Sequence, residues 1–251
     1  MKKITVLFLL VSSLTLFSQE NKVEEKVIIP GISVNFGYQI PSGDLAERFG
    51  NNFNVGGTFW LKLKNNFTLG IDGYYIFGKQ LKDEAYTTMD NIKTSDGNII
   101  DKYGHTSNIE MSERGYYLGL KVGKVFPVFK ANRNTGILTT LGGGFLEHKI
   151  LIENEGNRAP QILDEYKYGY DKLTNGFALQ EFIGFLYMGK NRLTNFVAGF
   201  EFTQGFTKSR RNFDFKLEKY DDRNRLDLYF GIRIGWLIPF RQRRVADYFY
   251  N

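Results

Sequence analysis

The side chains that could do chemistry in this chain are few, and they set its limits. Hydrolysis through a nucleophile needs a base and an acid that orients it, all within hydrogen-bond reach. The 251 residues hold two histidines, His105 and His148, and no cysteine. His105 stands beside Thr106 and Ser107 in a long polar stretch, and His148 follows Glu147 at the end of an apolar one; both read as surface or girdle side chains. Two distant histidines and scattered carboxylates do not compose a metal site. The acidic pairs Asp83-Glu84 and Asp221-Asp222 read as solvated loop charge, with a calcium ion as the alternative. Gly142-Gly143-Gly144 is followed by no Lys-Ser/Thr and is not a phosphate loop; in a strand it marks a bend, a bulge or room for neighbouring side chains. No catalytic, metal or cofactor residue is assigned, and a non-enzymatic protein is expected.

What remains is charge in unusual places. Lys62, Asp72, Lys121, Glu201, Asp227 and Arg233 interrupt runs that are otherwise aliphatic and aromatic. The elements that must position them are strands. Ile32, Val34, Phe36, Tyr38 and Ile40 alternate with Ser33, Asn35, Gly37 and Gln39, a period of two. The same pattern recurs over Asn54 to Lys64, Phe67 to Phe77, Arg114 to Phe126, Gly136 to Ile152, Phe177 to Met188, Asn195 to Phe206 and Leu226 to Phe240, for eight strands, with ten as the upper alternative. Strands five and six alternate less cleanly, because Leu138, Leu146 and Phe182 oppose Ile137, Leu141, Phe145, Ile183 and Phe185. With 27 Gly, 40 aromatics and only 5 Pro, the composition also points to strands rather than a helix bundle.

Met1-Lys2-Lys3, the apolar run Ile4 to Phe17 and the small residue Ser18 form a cleaved secretory signal over residues 1–18. Its removal takes Lys2 and Lys3 away and leaves 31 basic against 27 acidic residues, a net charge of +4. An exported chain with so modest an excess is not expected to bind nucleic acid. Residues 19–30 read as an N-terminal lead, 31–240 as the strand domain and 241–251 as a tail. Past residue 19 no apolar stretch is long enough for a membrane helix, but barrel strands cross membranes with no such signal.

The connections after strands two, four and six are short, near Lys64 to Asn66, Pro127 to Asn134 and Gly189 to Arg192. Those after strands one, three, five and seven are long: Pro41 to Phe53, Gly78 to Glu113, Glu153 to Gly176 and Thr207 to Arg225. Strict alternation fits short periplasmic turns and long extracellular loops. Alternation of side chains alone leaves either face open to the interior. Large aromatic apolar faces, set against Gly-rich faces carrying both signs of charge, favour lipid outside and a polar interior. Charges there must pair, so Lys62, Asp72, Lys121, Glu201, Asp227 and Arg233 are expected to form an interior ion-pair network. Tyr38, Trp60, Tyr74, Tyr75, Phe77, Tyr116, Tyr117, Phe126, Tyr187, Phe206, Tyr229, Trp236 and Phe240 are candidates for aromatic girdles at the membrane surfaces.

With this leader, strand count and loop asymmetry, the chain resembles the small outer-membrane β-barrel proteins of Gram-negative bacteria, of the OmpA-barrel, OmpX and OmpW kind. The run Tyr229-Phe230-Gly231-Ile232-Arg233-Ile234-Gly235-Trp236 is similar to the C-terminal insertion signal of that family, although the chain continues to Asn251. The resemblance implies an all-β, closed, antiparallel transmembrane barrel in the outer membrane, in contact with its lipid and lipopolysaccharide. A structural or loop-presenting protein is the first functional reading, a narrow channel the second and a lipid-modifying enzyme the third. Loop one, Pro41 to Gly50, reads as containing a short capped helical turn. Tyr166, Tyr168 and Tyr170, with Lys208, Arg210 and Arg211 in the last long loop, are the candidate contacts for a ligand, for lipopolysaccharide phosphates or for an outer-membrane protein partner; solvated, internally paired loop charge is the alternative for the basic cluster, which Arg223 and Arg225 extend.

Overall fold

The computed structural model describes residues 28–130, 132–189 and 193–240. The leader, most of the N-terminal lead and the tail 241–251 lie outside these residues. Eight strands are present: β1 Ile29–Gly43, β2 Asn52–Lys62, β3 Phe67–Gly78, β4 Ile109–Pro127, β5 Gly136–Asn154, β6 Thr174–Met188, β7 Asn195–Ser209 and β8 Asn224–Pro239. Each pairs antiparallel with the next, and β1 pairs with β8 from Gly31↔Pro239 to Gly43↔Asp227, closing the ring. Closure leaves no sheet edge along the wall. β1, β2, β4, β5, β6, β7 and β8 run further into the long connections than their period-two patterns do, because backbone pairing continues where side-chain alternation fades. β4 and β5 are the longest, paired from Pro127↔Gly136 to Ile109↔Asn154.

The ring is apolar outside and mixed inside. On β8, Leu226, Phe230, Ile232, Ile234 and Trp236 face outward and are exposed, while Arg225, Asp227, Tyr229, Arg233 and Leu237 face inward and are buried. The same division holds on β1, where Ile32, Val34, Phe36, Tyr38 and Ile40 are exposed and Ser33, Asn35 and Gln39 are buried.

Side chains fill the interior in layers, as a ring of eight strands requires. At the end carrying the short turns lies an apolar layer of Ile29, Trp60, Val125, Phe182, Leu186, Met188, Val197 and Leu237. A second apolar cluster, including Tyr74, Ile76, Tyr117, Leu146, Ile150 and Tyr229, closes the other end together with Leu45, Phe49, Leu81 and Ala85 from the long loops. A third cluster, Met89, Ile99, Ala159, Ile162 and Tyr170 with Phe215 against it, joins loops 79–108, 155–173 and 210–223 into a cap. Loop one carries a 3-10 turn, Asp44–Glu47, but no side-chain cap; Asp44 instead accepts from the Leu226 amide at 2.6 Å.

Candidate functional site

Between the apolar layers lies a polar band built by register. Lys121 stands between Gly70 and Gly142 on its two neighbours, and Arg233 between Gly37 and Gly199. Each long cation thus runs across strand positions that have no side chain. Lys121 Nζ donates to Asp72 at 2.8 Å, and Thr58 donates to the same carboxylate oxygen at 2.6 Å. Arg233 pairs with Glu201, lies 3.9 Å from Asp72, and stacks over Tyr74 with its guanidinium carbon 4.4 Å from the ring centre. Asn35 and Gln39 donate to Thr58 and Glu201. Lys62 sits apart near the short-turn end, donating to Asn66 at 2.7 Å and Asn134 at 2.9 Å.

Above this band loop one turns inward. Arg48, 1% exposed, donates to Thr174 at 3.1 Å and to Asp227 at 3.4 Å. Asp227 also accepts from His148 Nε2 at 2.8 Å and from Thr207, which places the His148 proton on Nε2. Phe49 stands edge-on to the His148 ring. Beside them the buried Glu113 accepts from Asn52 at 2.7 Å and Tyr229 at 3.1 Å. The cap over this latch is held by ion pairs between loops. Lys172 reaches Asp214, Arg211 reaches Asp171, and Arg223 bridges Asp221 at 3.3 Å to Glu84 at 3.5 Å. Burial works against ionisation of Asp221, but Arg225 and the Arg223 backbone and side chain outweigh it and hold the carboxyl below its ordinary range. In the tight turn 101–105 the backbone amides of His105 and Tyr103 do the same for Asp101.

Several sequence expectations are corrected. His148 is neither a surface nor a girdle residue: it is fully buried and paired with Asp227, because position 148 shares the inward parity of Leu146 and Ile150. His105 is exposed. Trp60, Tyr74, Tyr117 and Tyr229 point into the ring and cannot serve as girdle residues, whereas Tyr38, Tyr75, Tyr116, Phe126, Tyr187, Phe206, Trp236 and Phe240 are exposed on or beside the wall. Tyr170 offers no contact surface, since it packs edge-on to Phe215 inside the cap; Tyr166 and Tyr168 are exposed. Lys208 belongs to β7 and faces outward rather than lying in the last loop, and Arg225 is an inward residue of β8 paired with Asp221. Arg210 donates to Asn175, and the Arg211 guanidinium carbon lies 4.2 Å from the Tyr168 ring centre. Arg48 and Glu113, both buried in this site, carry no signal in the sequence that marks them as interior.

The chain is similar to solved small outer-membrane barrels. Neisserial surface protein A matches at 11% identity and a TM-score of 0.45 over 84% of this chain and 97% of that one. Ail, the attachment invasion locus protein of Yersinia pestis, in complex with the heparin analogue sucrose octasulfate, matches at 12% identity and 0.37 over 86% of this chain and 100% of that one. The outer membrane protein OprG from Pseudomonas aeruginosa matches at 13% and 0.38 over 86% and 95%. No protein-family model matches the sequence, and no curated protein matches it.

Proposed function

We propose that this protein is a non-enzymatic outer-membrane barrel that holds a rigid extracellular cap in place. The observation that carries this reading is the polarity of the ring. Outward residues such as Phe36, Ile71, Leu120 and Phe200 are exposed, while Lys62, Asp72, Asp227 and Arg233 are buried inside. Water as the outer solvent would leave an extensive apolar wall uncovered; lipid covers it, and strands of 11 to 19 residues meet or exceed the nine to eleven or so that a tilted crossing needs. The short turns then face the periplasm and the cap faces outward. Heat-modifiable gel migration and fractionation with the outer membrane are the expected outcomes; recovery as a soluble periplasmic protein would overturn the proposal.

The filled interior supports this reading over a channel. Cavities beside the polar band measure about 50 Å3 and about 10 Å3, room for a few waters, and apolar layers lie on both sides of them. Planar bilayers containing the protein are expected to show no steady current. A steady, salt-dependent current altered by Arg233→Gln would establish conduction instead. The buried His148 spends its Nε2 on Asp227 beneath the cap, out of reach of lipid, so lipid A from expressing cells is expected to keep an unchanged mass profile.

A further inference from the structure

On the outer wall three successive cross-strand rows change character at the loop end. The first, Leu118–Phe145–Phe177–Phe206–Leu226, is apolar and exposed throughout. The next is Tyr116–Glu147–Asn175–Lys208. Above it Arg114 stands directly opposite Lys149, and the row continues through Leu173, whose carbonyl accepts from the Arg210 amide at 2.9 Å. Four cations therefore face outward from β4, β5 and β7 and the residue after β7, immediately above an apolar band. Like charges directly opposed across strands are destabilising, yet among the described residues none of the four reaches a carboxylate within ion-pair distance. Glu147, the one acid in these rows, accepts from Asn175 at 2.8 Å. Arg210 is held down on the wall by Asn175 rather than extended into the cap. Across the ring on β1 and β2 the outward residues at this end, Ser42 and Phe53, carry no charge, and Asn224, opposite Lys208 on β8, is neutral. The cationic surface is one-sided and sits where the hydrocarbon ends.

We propose that Arg114, Lys149, Lys208 and Arg210 bind the phosphate-bearing headgroup of an outer-leaflet lipid, whose acyl chains lie along Leu118, Phe145, Phe177 and Phe206. This rests on the outer-membrane reading above. A phosphate monoester has the charge to relieve the Arg114–Lys149 opposition and the acceptor oxygens to engage several donors at once, and the apolar row beneath selects a lipid over a free anion.

The test is native mass spectrometry of the full chain released from detergent, with diphosphoryl lipid A, phosphatidylcholine or inorganic phosphate added. The wild type is expected to retain lipid A in preference to phosphatidylcholine. Lys149→Gln and Lys208→Gln should each weaken retention about fivefold and the double variant about 25-fold. Lys102→Gln, a cap cation away from the wall, should leave retention unchanged. Heat-modifiable migration checks that every variant still forms the barrel; with the barrel intact, equal retention by wild type and double variant overturns the site. Displacement of lipid A by an equal concentration of inorganic phosphate overturns the lipid as its occupant. Failure of the wild type itself to show heat-modifiable folding refutes the membrane reading and the site with it.

Discussion

Replacing Arg48 with methionine should open loop one while leaving the ring closed. Arg48 is buried and joins loop one to β6 through Thr174 and to β8 through Asp227. Breaking a buried ion pair by removing one partner typically costs about 3–5 kcal/mol. Here Asp227 keeps His148 at 2.8 Å and Thr207, so the lower end applies, about 3 kcal/mol. Methionine retains an unbranched apolar stem, which confines the loss to the guanidinium: its charge, its hydrogen bonds and its place 5.6 Å from the Phe49 ring centre. At about 1.4 kcal/mol per decade the open population of residues 44–51 rises roughly a hundredfold. Amide hydrogen exchange on the detergent-folded protein reads this directly, since local opening sets the exchange rate of that segment. The Phe49 and Gly50 amides, which bond to Leu45 and Gln80, should exchange about a hundredfold faster, with β3 and β6 unchanged. Acceleration of less than roughly threefold would show that the latch is not what holds the loop.

Three further outcomes test other parts of the account. Glu181 faces outward from β6 between Leu141 and Phe202 and makes no ion pair among the described residues; in hydrocarbon Glu181→Leu should stabilise the barrel by about 1–2 kcal/mol in urea unfolding from lipid vesicles, and a neutral or destabilising result would remove that face from the lipid. Gly199→Val pushes a side chain against the Gly184 and Ile183 backbone beside Arg233 and should destabilise by about 1–3 kcal/mol on the same assay; unchanged stability would mean the Arg233 lane is not close-packed. The Asp221 carboxyl is held below its ordinary range in the folded loop, so its contribution is present at neutral pH and persists as pH falls through about 3.9. It is lost only below that, through the folded value, and limited proteolysis of loop 210–223 across pH should place the release there; release near pH 5 would contradict the Asp221–Arg225 tie.

The strands were legible because period-two alternation survives wherever one wall face meets an apolar phase, and the inward charges stood out against it. Trp60, Tyr74, Tyr117 and Tyr229 already occupied the polar parity of their strands; grouping them with girdle residues by type overrode the stronger positional signal. His148 was harder. Leu138, Leu146 and Phe182 carry apolar side chains on the inward face because the interior is layered, and that mixture blurs the parity of β5 and β6. Glu113 lies one residue before the alternation of β4 becomes visible, in a stretch paired by backbone alone. Arg48 is invisible for a different reason. A basic residue in a polar loop has the sequence signature of solvent exposure, and only the closure of β1 against β8 brings Asp227 beneath it.

The absence of cysteine makes one measurement unusually clean. Tyr166→Cys, exposed in the cap, and Asn65→Cys, exposed in a short turn, can be expressed singly in a Gram-negative host and treated in intact cells with a polymer-linked maleimide too large to pass porins. With the cap outside and the short turns in the periplasm, position 166 is labelled in intact cells and position 65 only after the outer membrane is permeabilised. Labelling of both only after permeabilisation, or of position 65 alone in intact cells, would contradict that orientation.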